Sequence, residues 1–199
     1  MWLRILIGGI VGGIVVFFVG FVTHGMLNLQ SRTFANIPDS QTFIEHLQGR
    51  GLKPGFYIFP DMPKGADQND PAKMAEATDR FKTGPAGLLL IAGTGIPSMG
   101  EMLAKEFASN VLAALLAAGV VSLAGPDIGF GRRWGAVMVM GIFAWLSISA
   151  SYGIWYWFPH AFTHDEFLCT FLEWSIAGLA IAAIVRRPLI VANSPVNKG

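Results

Sequence analysis

Four long apolar stretches, separated by polar ones, set the plan of this chain. Ile5 to Leu27, and residues of about 107–125, 134–158 and 164–186, carry few charges. Each approaches the ~20 residues that a helix needs to cross a ~30 Å hydrocarbon core. Between the first and second stretches, residues 28–97 mix short apolar runs with turn residues, as a water-soluble module does. The pattern predicts an α-helical membrane protein. Its four-transmembrane-helix bundle carries a small extracytoplasmic α/β insert between helices 1 and 2. The predicted parts are a signal-anchor helix (1–27), a cap (28–97), helices 2–4 (98–187) and a short cytoplasmic tail (188–199). The first stretch exceeds the 7–15 apolar residues of a cleaved signal core, and no A-x-A-like site follows it.

Within the cap, Asp39 or Ser40 is predicted to cap a short helix carrying Phe43, Ile44 and Leu47, closed by Gly49 and Gly51. Lys53-Pro54-Gly55 reads as a turn and Phe56 to Phe59 as a strand. Asp70-Pro71 reads as an N-cap with proline at the first helical position, opening a helix to about Lys82. Gly87 to Ala92 is a second strand candidate. Two strands alone are marginal in water, so the cap is expected to rest on the bundle or on a partner. Ser98 to Glu101 is a capping box with a Glu101/Lys105 pair behind it. Gly129 to Arg133 reads as a tight basic loop, Pro159 as the end of the third span, and Thr163 to Glu166 as a second capping box that starts the fourth.

Composition sharpens the class. Hydrophobic residues are 53% and charged residues 14%, against roughly 25% charged in soluble proteins. The net charge of +1 conceals a segregation. Arg4, Arg132, Arg133, Arg186, Arg187 and Lys198 all fall on one side of a four-span layout. The hairpin between spans three and four has no Lys or Arg. By the positive-inside rule both termini are cytoplasmic, and the cap and the Trp155–His164 hairpin lie outside. The lipid bilayer is therefore the first partner. No dense basic patch with interleaved aromatics indicates nucleic-acid binding. With one cysteine, Cys169, no internal disulfide can form.

Candidate chemistry concentrates in the outer halves of the spans. Glu173 lies within an apolar run, about 9 Å below the outer boundary if Phe167 marks it. An acid at that depth normally faces the bundle interior or water with a named partner. Its neighbours Cys169, Thr170, Ala177 and Ala180 are small. Gly8/Gly12 and Gly9/Gly13 form two offset G-x-x-x-G pairs, read as intramolecular packing before a dimer seam. Gly9, Gly13, Gly20 and His24 share a face of the first helix. Glu106 and Asn110 lie on an alanine-rich face of the second span, and Ser147 and Ser151 on a small-residue face of the third. These residues outline a polar pocket, with Glu173 and His24 as its titrating pair. The competing reading leaves Glu173 hydrogen-bonded and purely structural. His160 and His164, four apart, are weak metal candidates, because no H-E-x-x-H or C-x-x-C-H accompanies them. Interface contacts explain them more simply, and no metal or other cofactor is predicted. Gly93-Thr94-Gly95 lacks the spacing of a phosphate loop and reads as a joint.

The segments FFVGFVTHGML, PGFYIFPDM, GPAGLLL and FAWLSISASYGIWYWFP resemble a family of small, uncharacterised bacterial four-span integral membrane proteins. The resemblance covers most of the chain. It implies an N-terminal anchor, an outer insert and three further spans in a bacterial inner membrane, and it carries over no site. On the residues alone, the leading expectation is a structural or accessory component of a membrane complex, packed against a partner protein or a second copy. The alternative is a binding or transport protein for a small ligand, cation or proton. Transport lacks the support of inverted repeats or broken helices. No nucleophile–base pair stands out, so the reading leans away from an enzyme.

Overall fold

The computed structural model describes residues 1–93, 95–124 and 128–186. Thr94, the predicted exit of the second span at Gly125-Pro126, Arg187, Lys198 and the rest of the tail lie outside these. Four helical segments are long and apolar enough to cross a membrane: Trp2–Met26, Met99–Leu123, Phe130–Tyr156 and His160–Ile184. They contain α1 (Trp2–Gly20), α4 (Met99–Leu123), α5 (Phe130–Ser147), α6 (Ser149–Tyr156) and α7 (His160–Ile184). Between the first and second lie α2 (Ser40–Gly49), β1 (Gly55–Phe59), α3 (Pro71–Thr83) and β2 (Gly87–Ile91). The order helix, strand, helix, strand is the one expected.

Glycine decides how the long helices pack. A Cβ on Gly9 would lie 2.7 Å from Leu115 Cα, and one on Gly13 only 2.5 Å from Val111 Cα, both on α4. On the neighbouring face, a Cβ on Gly8 would lie 2.6 Å from Val185 Cγ2, and one on Gly12 would lie 2.7 Å from Ile181 Cγ1, at the α7 side. The two G-x-x-x-G pairs therefore serve two different helices of the same chain. Each removes side-chain bulk so that backbones can approach. α1 is held between α4 and α7, and α5 packs on the far side of α7. There Gly178 faces Trp134 and Val137, and Gly141 faces Trp174. Two indoles fasten that seam: Trp134 Nε1 donates to the Ser175 carbonyl (2.8 Å) and Trp145 Nε1 to that of Thr163 (3.0 Å).

The buried core is built from Ala114, Ala117, Ala118, Val121, Val137, Ile181 and Val185. It lies toward one end of the bundle, the end where arginines collect. Arg133 Nε donates to the Ala182 carbonyl at 3.0 Å, and Arg4 donates to the carbonyl of Arg186. The first satisfies a carbonyl that the end of α7 leaves without a helical partner, and the second ties the start of α1 to the residues just past α7. The opposite end carries the cap. Its two strands pair antiparallel, Gly55 with Ile91 through Phe59 with Gly87. Asp70 caps α3 by accepting from the Ala72 amide at 2.9 Å. Ser98 caps α4 by accepting from the Glu101 amide (3.3 Å), and Lys105 Nζ pairs with Glu101 (2.6 Å).

Five expectations need correction. Asp39 sits at the start of α2 in the left-handed region (φ 49°) and makes no side-chain cap bond, and neither does Ser40. Phe130 to Arg133 form the first turn of α5 and not a loop. The third apolar segment is broken at Ile148 (φ −115°, ψ −70°) into α5 and α6. Just before the break, the Ser147 hydroxyl donates to the Phe143 carbonyl at 2.8 Å, a back-bond that bends helices. Trp157, at φ 57°, ends α6, and Pro159 is the residue that starts α7. α7 thus begins at His160, so Thr163 is already inside it. Its hydroxyl reaches back to the Pro159 carbonyl (3.4 Å) instead of capping.

Candidate functional site

α1 does not end at Gly20. It widens into a π-helical turn, Phe21–Met26, in which the Leu27 amide donates to the Val22 carbonyl at 2.8 Å. Such turns insert a residue into the α-helical register and recur at functional sites. Here the turn buries Thr23, whose hydroxyl donates to the Gly20 carbonyl (3.1 Å). It also sets His24 against α7, with Nε2 3.5 Å from Glu173 Oε1. The Glu173 side chain is 15% exposed and that of His24 is 42% exposed. Glu173 lies about 20 Å along α7 from His160, taking 1.5 Å per residue. The carboxylate lies against the bare backbone of Gly20, where a Cβ would be 3.3 Å from Oε1.

The spacing that closes one half of the bundle opens the other. Gly9 and Gly13 bring α1 onto α4, but beyond them Phe17 meets Phe107 edge-on, with ring centroids 5.4 Å apart. Aromatic side chains now stand where glycines stood, and a cavity replaces the close backbone contact. The wedge between α1, α4 and α7 is a cavity of about 740 Å³. Its walls bring together His24, Glu173, Glu106 and Asn110, with Phe17 and Phe21 as aromatic sides. Glu166 lines it too, and no Lys or Arg does. Three carboxyl groups and one imidazole make it an acidic recess inside an apolar bundle.

The serines of the expected pocket lie elsewhere. Ser147 is exposed and spends its hydroxyl on the Phe143 and Ala144 carbonyls, and Ser151 does not line the cavity. His160 and His164 fall on the first turns of α7, and His164 Nδ1 is 3.3 Å from Asp165 Oδ1. Among the described residues, no three His, Cys, Asp or Glu side chains converge as metal ligands would.

One part of the site has no trace in local sequence. The Asn28–Phe34 segment folds across the start of α7. Arg32 donates from Nε to Asp165 Oδ2 at 2.8 Å and from its second nitrogen to Oδ1. Asp165 is buried and Arg32 is not, with side chains 2% and 62% exposed. By accepting these bonds and by its charge, Asp165 raises the Arg32 pKa further above its ordinary value. Gln30 donates to Glu166, one residue on. The partners are 133 and 136 positions apart, so no spacing rule could pair them. Phe34 against Phe162 adds an edge-on ring contact to the same strap.

Fold and site together define a class: a four-helix apolar bundle with a small α/β cap and an acidic recess between α1, α4 and α7. Comparison of the chain with protein-family models, with curated proteins and with solved structures finds no match.

Proposed function

We propose that the chain is a multi-pass protein of the bacterial inner membrane that binds a small cation in its recess. In this reading both termini are cytoplasmic, the cap lies outside, and the recess faces the outer side. The reading is supported by the four apolar helices and by the arginines gathered at the end opposite the cap. The observation that carries the binding role is the recess itself. Intramembrane acids are rare because they are costly, and they mark ligand or ion pathways when they line a cavity. Glu173 lines one in company with Glu106, Glu166 and His24. The tightly packed alanine core below it favours binding over conduction.

The test is a thermal-shift series on purified full-length protein in mild detergent, against a set of alkylammonium ions, with Na⁺ and Ca²⁺ as comparisons because, among the described residues, the acids do not converge as metal ligands would. A binding cation adds about 2.7 kcal/mol of stability at one hundred times Kd, and so raises the melting temperature. Glu173→Gln is expected to remove the shift while the variant keeps its fold. If no cation shifts the melt, or if the shift survives in Glu173→Gln, the binding role is wrong. The accessory role in a complex then becomes the better reading. It has its own support in the cap, where Phe56 and Leu90 stand paired on one face of the two-stranded sheet and are 77% and 63% exposed. Exposed apolar patches of that kind mark interaction surfaces.

A further inference from the structure

A second cavity, of about 600 Å³, lies between the cap and the end of α6. Ile58, Met62 and Phe81 enter it from the cap, and Trp155 and Trp157 from α6 and the residue after it. Lys82 is the single charged residue among those lining it, and makes no ion pair among the described residues. We propose that this cavity holds an acyl chain of an anionic phospholipid from the cap-side leaflet, with Lys82 on the headgroup. The proposal rests on the membrane reading above but not on the acidic recess.

Three observations favour this occupant. The first is place. Tyr152, Tyr156 and Phe158 share the chain segment of Trp155 and Trp157 and cluster there, the last two with ring centroids 5.6–5.7 Å from Tyr152. Trp and Tyr collect at headgroup level, where one end of the ring is dry and the other wet. The second is the backbone of Trp157, whose left-handed conformation (φ 57°, ψ 32°) is uncommon for a bulky residue. It carries the indole to Phe81, with centroids 5.5 Å apart, and so builds an aromatic wall between bundle and cap. The third is polarity. The cavity is apolar except for Thr78 and Lys82. A peptide would need partners for its backbone groups, and few are offered. A lipid chain needs none, and an exposed lysine among apolar lining residues suits an anionic headgroup.

Native mass spectrometry of the full chain, released from detergent containing dioleoyl phosphatidylglycerol or dioleoyl phosphatidylcholine, tests this. One phosphatidylglycerol should be retained at about fivefold lower lipid concentration than phosphatidylcholine, the preference expected of one lysine. Lys82→Gln should abolish the preference but keep retention, Ala86→Phe should narrow the cavity and weaken retention of both, and Lys105→Gln should change neither. Equal retention of the two lipids by the wild type overturns the proposal. So does undiminished retention in Ala86→Phe with a wild-type melt. Carbonate extraction of cell membranes reports separately on the membrane reading. Protein released by carbonate would refute that reading, whereas protein kept in the membrane without lipid preference would refute this one alone.

Discussion

Replacing Gly13 with alanine adds one methyl group, and the structure says where it must go. The new Cβ would lie 2.5 Å from Val111 Cα, 2.8 Å from Val111 N and 2.7 Å from Val111 Cγ2. Two of the three atoms are backbone, so no rotamer change removes the clash. Ordinary carbon contacts begin at about 3.5 Å, so α1 and α4 must part by about 1 Å along this seam. Inserting a methylene into a packed core costs about 1–3 kcal/mol, and a rigid backbone neighbour places this case toward the upper end. The helix recovers ~1 kcal/mol because alanine is the better helix former. The net loss is about 2 kcal/mol, or a fall of about 4–8 °C for a chain of this size. Gly119, on the same helix as Val111, is the control, since a Cβ there meets nothing within 4 Å. Gly119→Ala keeps the propensity gain and should melt about 2–4 °C above the wild type. The assay is built into the chain: Cys169 is the single cysteine and is buried, so a thiol-reactive dye reports unfolding. A Gly13→Ala protein that melts at or above the wild type would refute the close α1/α4 approach.

Other changes test the remaining parts of the framework. Ser175 Oγ is buried without a hydrogen-bond partner among the described residues, so Ser175→Ala should stabilise by about 1 kcal/mol in the same dye melt. An unchanged or lower melting temperature would mean that the hydroxyl has a partner. Arg32→Gln removes the bidentate partner of Asp165, and should speed amide exchange in Asn28–Phe34 and the first two turns of α7, read by mass spectrometry. The Gly13 seam should stay protected. Exchange that spreads evenly over the bundle would show that the strap is not a local latch.

Much of the framework was legible because membrane-length helices and the small cap announce themselves locally. Asp70-Pro71 and the offset glycine pairs each carry a mechanism within a few residues and work as it requires, and of the Ser98-x-x-Glu101 box the Ser98 half forms while Glu101 pairs with Lys105. Where a local signal misled, a neighbour had overridden it. Thr163-x-x-Glu166 has the form of a capping box, but Pro159 starts the helix four residues earlier. Ser147 looks like a pocket residue by face, yet its hydroxyl is spent on its own helix next to the break at Ile148. Of the recess, Glu173, His24, Glu106 and Asn110 were grouped by depth and helical phase, and they line one cavity. Glu166, Gln30 and the Arg32–Asp165 pair were not, because long-range partnership leaves no periodicity to read. The widened turn at Phe21–Met26 was equally hidden, since its residues would suit an α-helix as well.

The glycines and the recess are one design on a single helix. If α1 carried large residues throughout, α4 and α7 would stand off along its whole length and no sealed half would exist. If it carried glycines throughout, the helices would close and Glu173 would have no room beside α1. The chain instead places Gly8, Gly9, Gly12 and Gly13 at the arginine end, and Phe17 and Phe21 toward the cap, with Gly20 opposite the carboxylate. The bundle is therefore tight where its alanine core lies and hollow where its acids lie. The π-helical turn completes the arrangement by setting His24 beside Glu173. A recess of this kind needs no broken transmembrane helix and no hinge. It follows from a change of side-chain volume along one face of α1, which makes Gly20 the position where added bulk should act on the pocket before it acts on the fold.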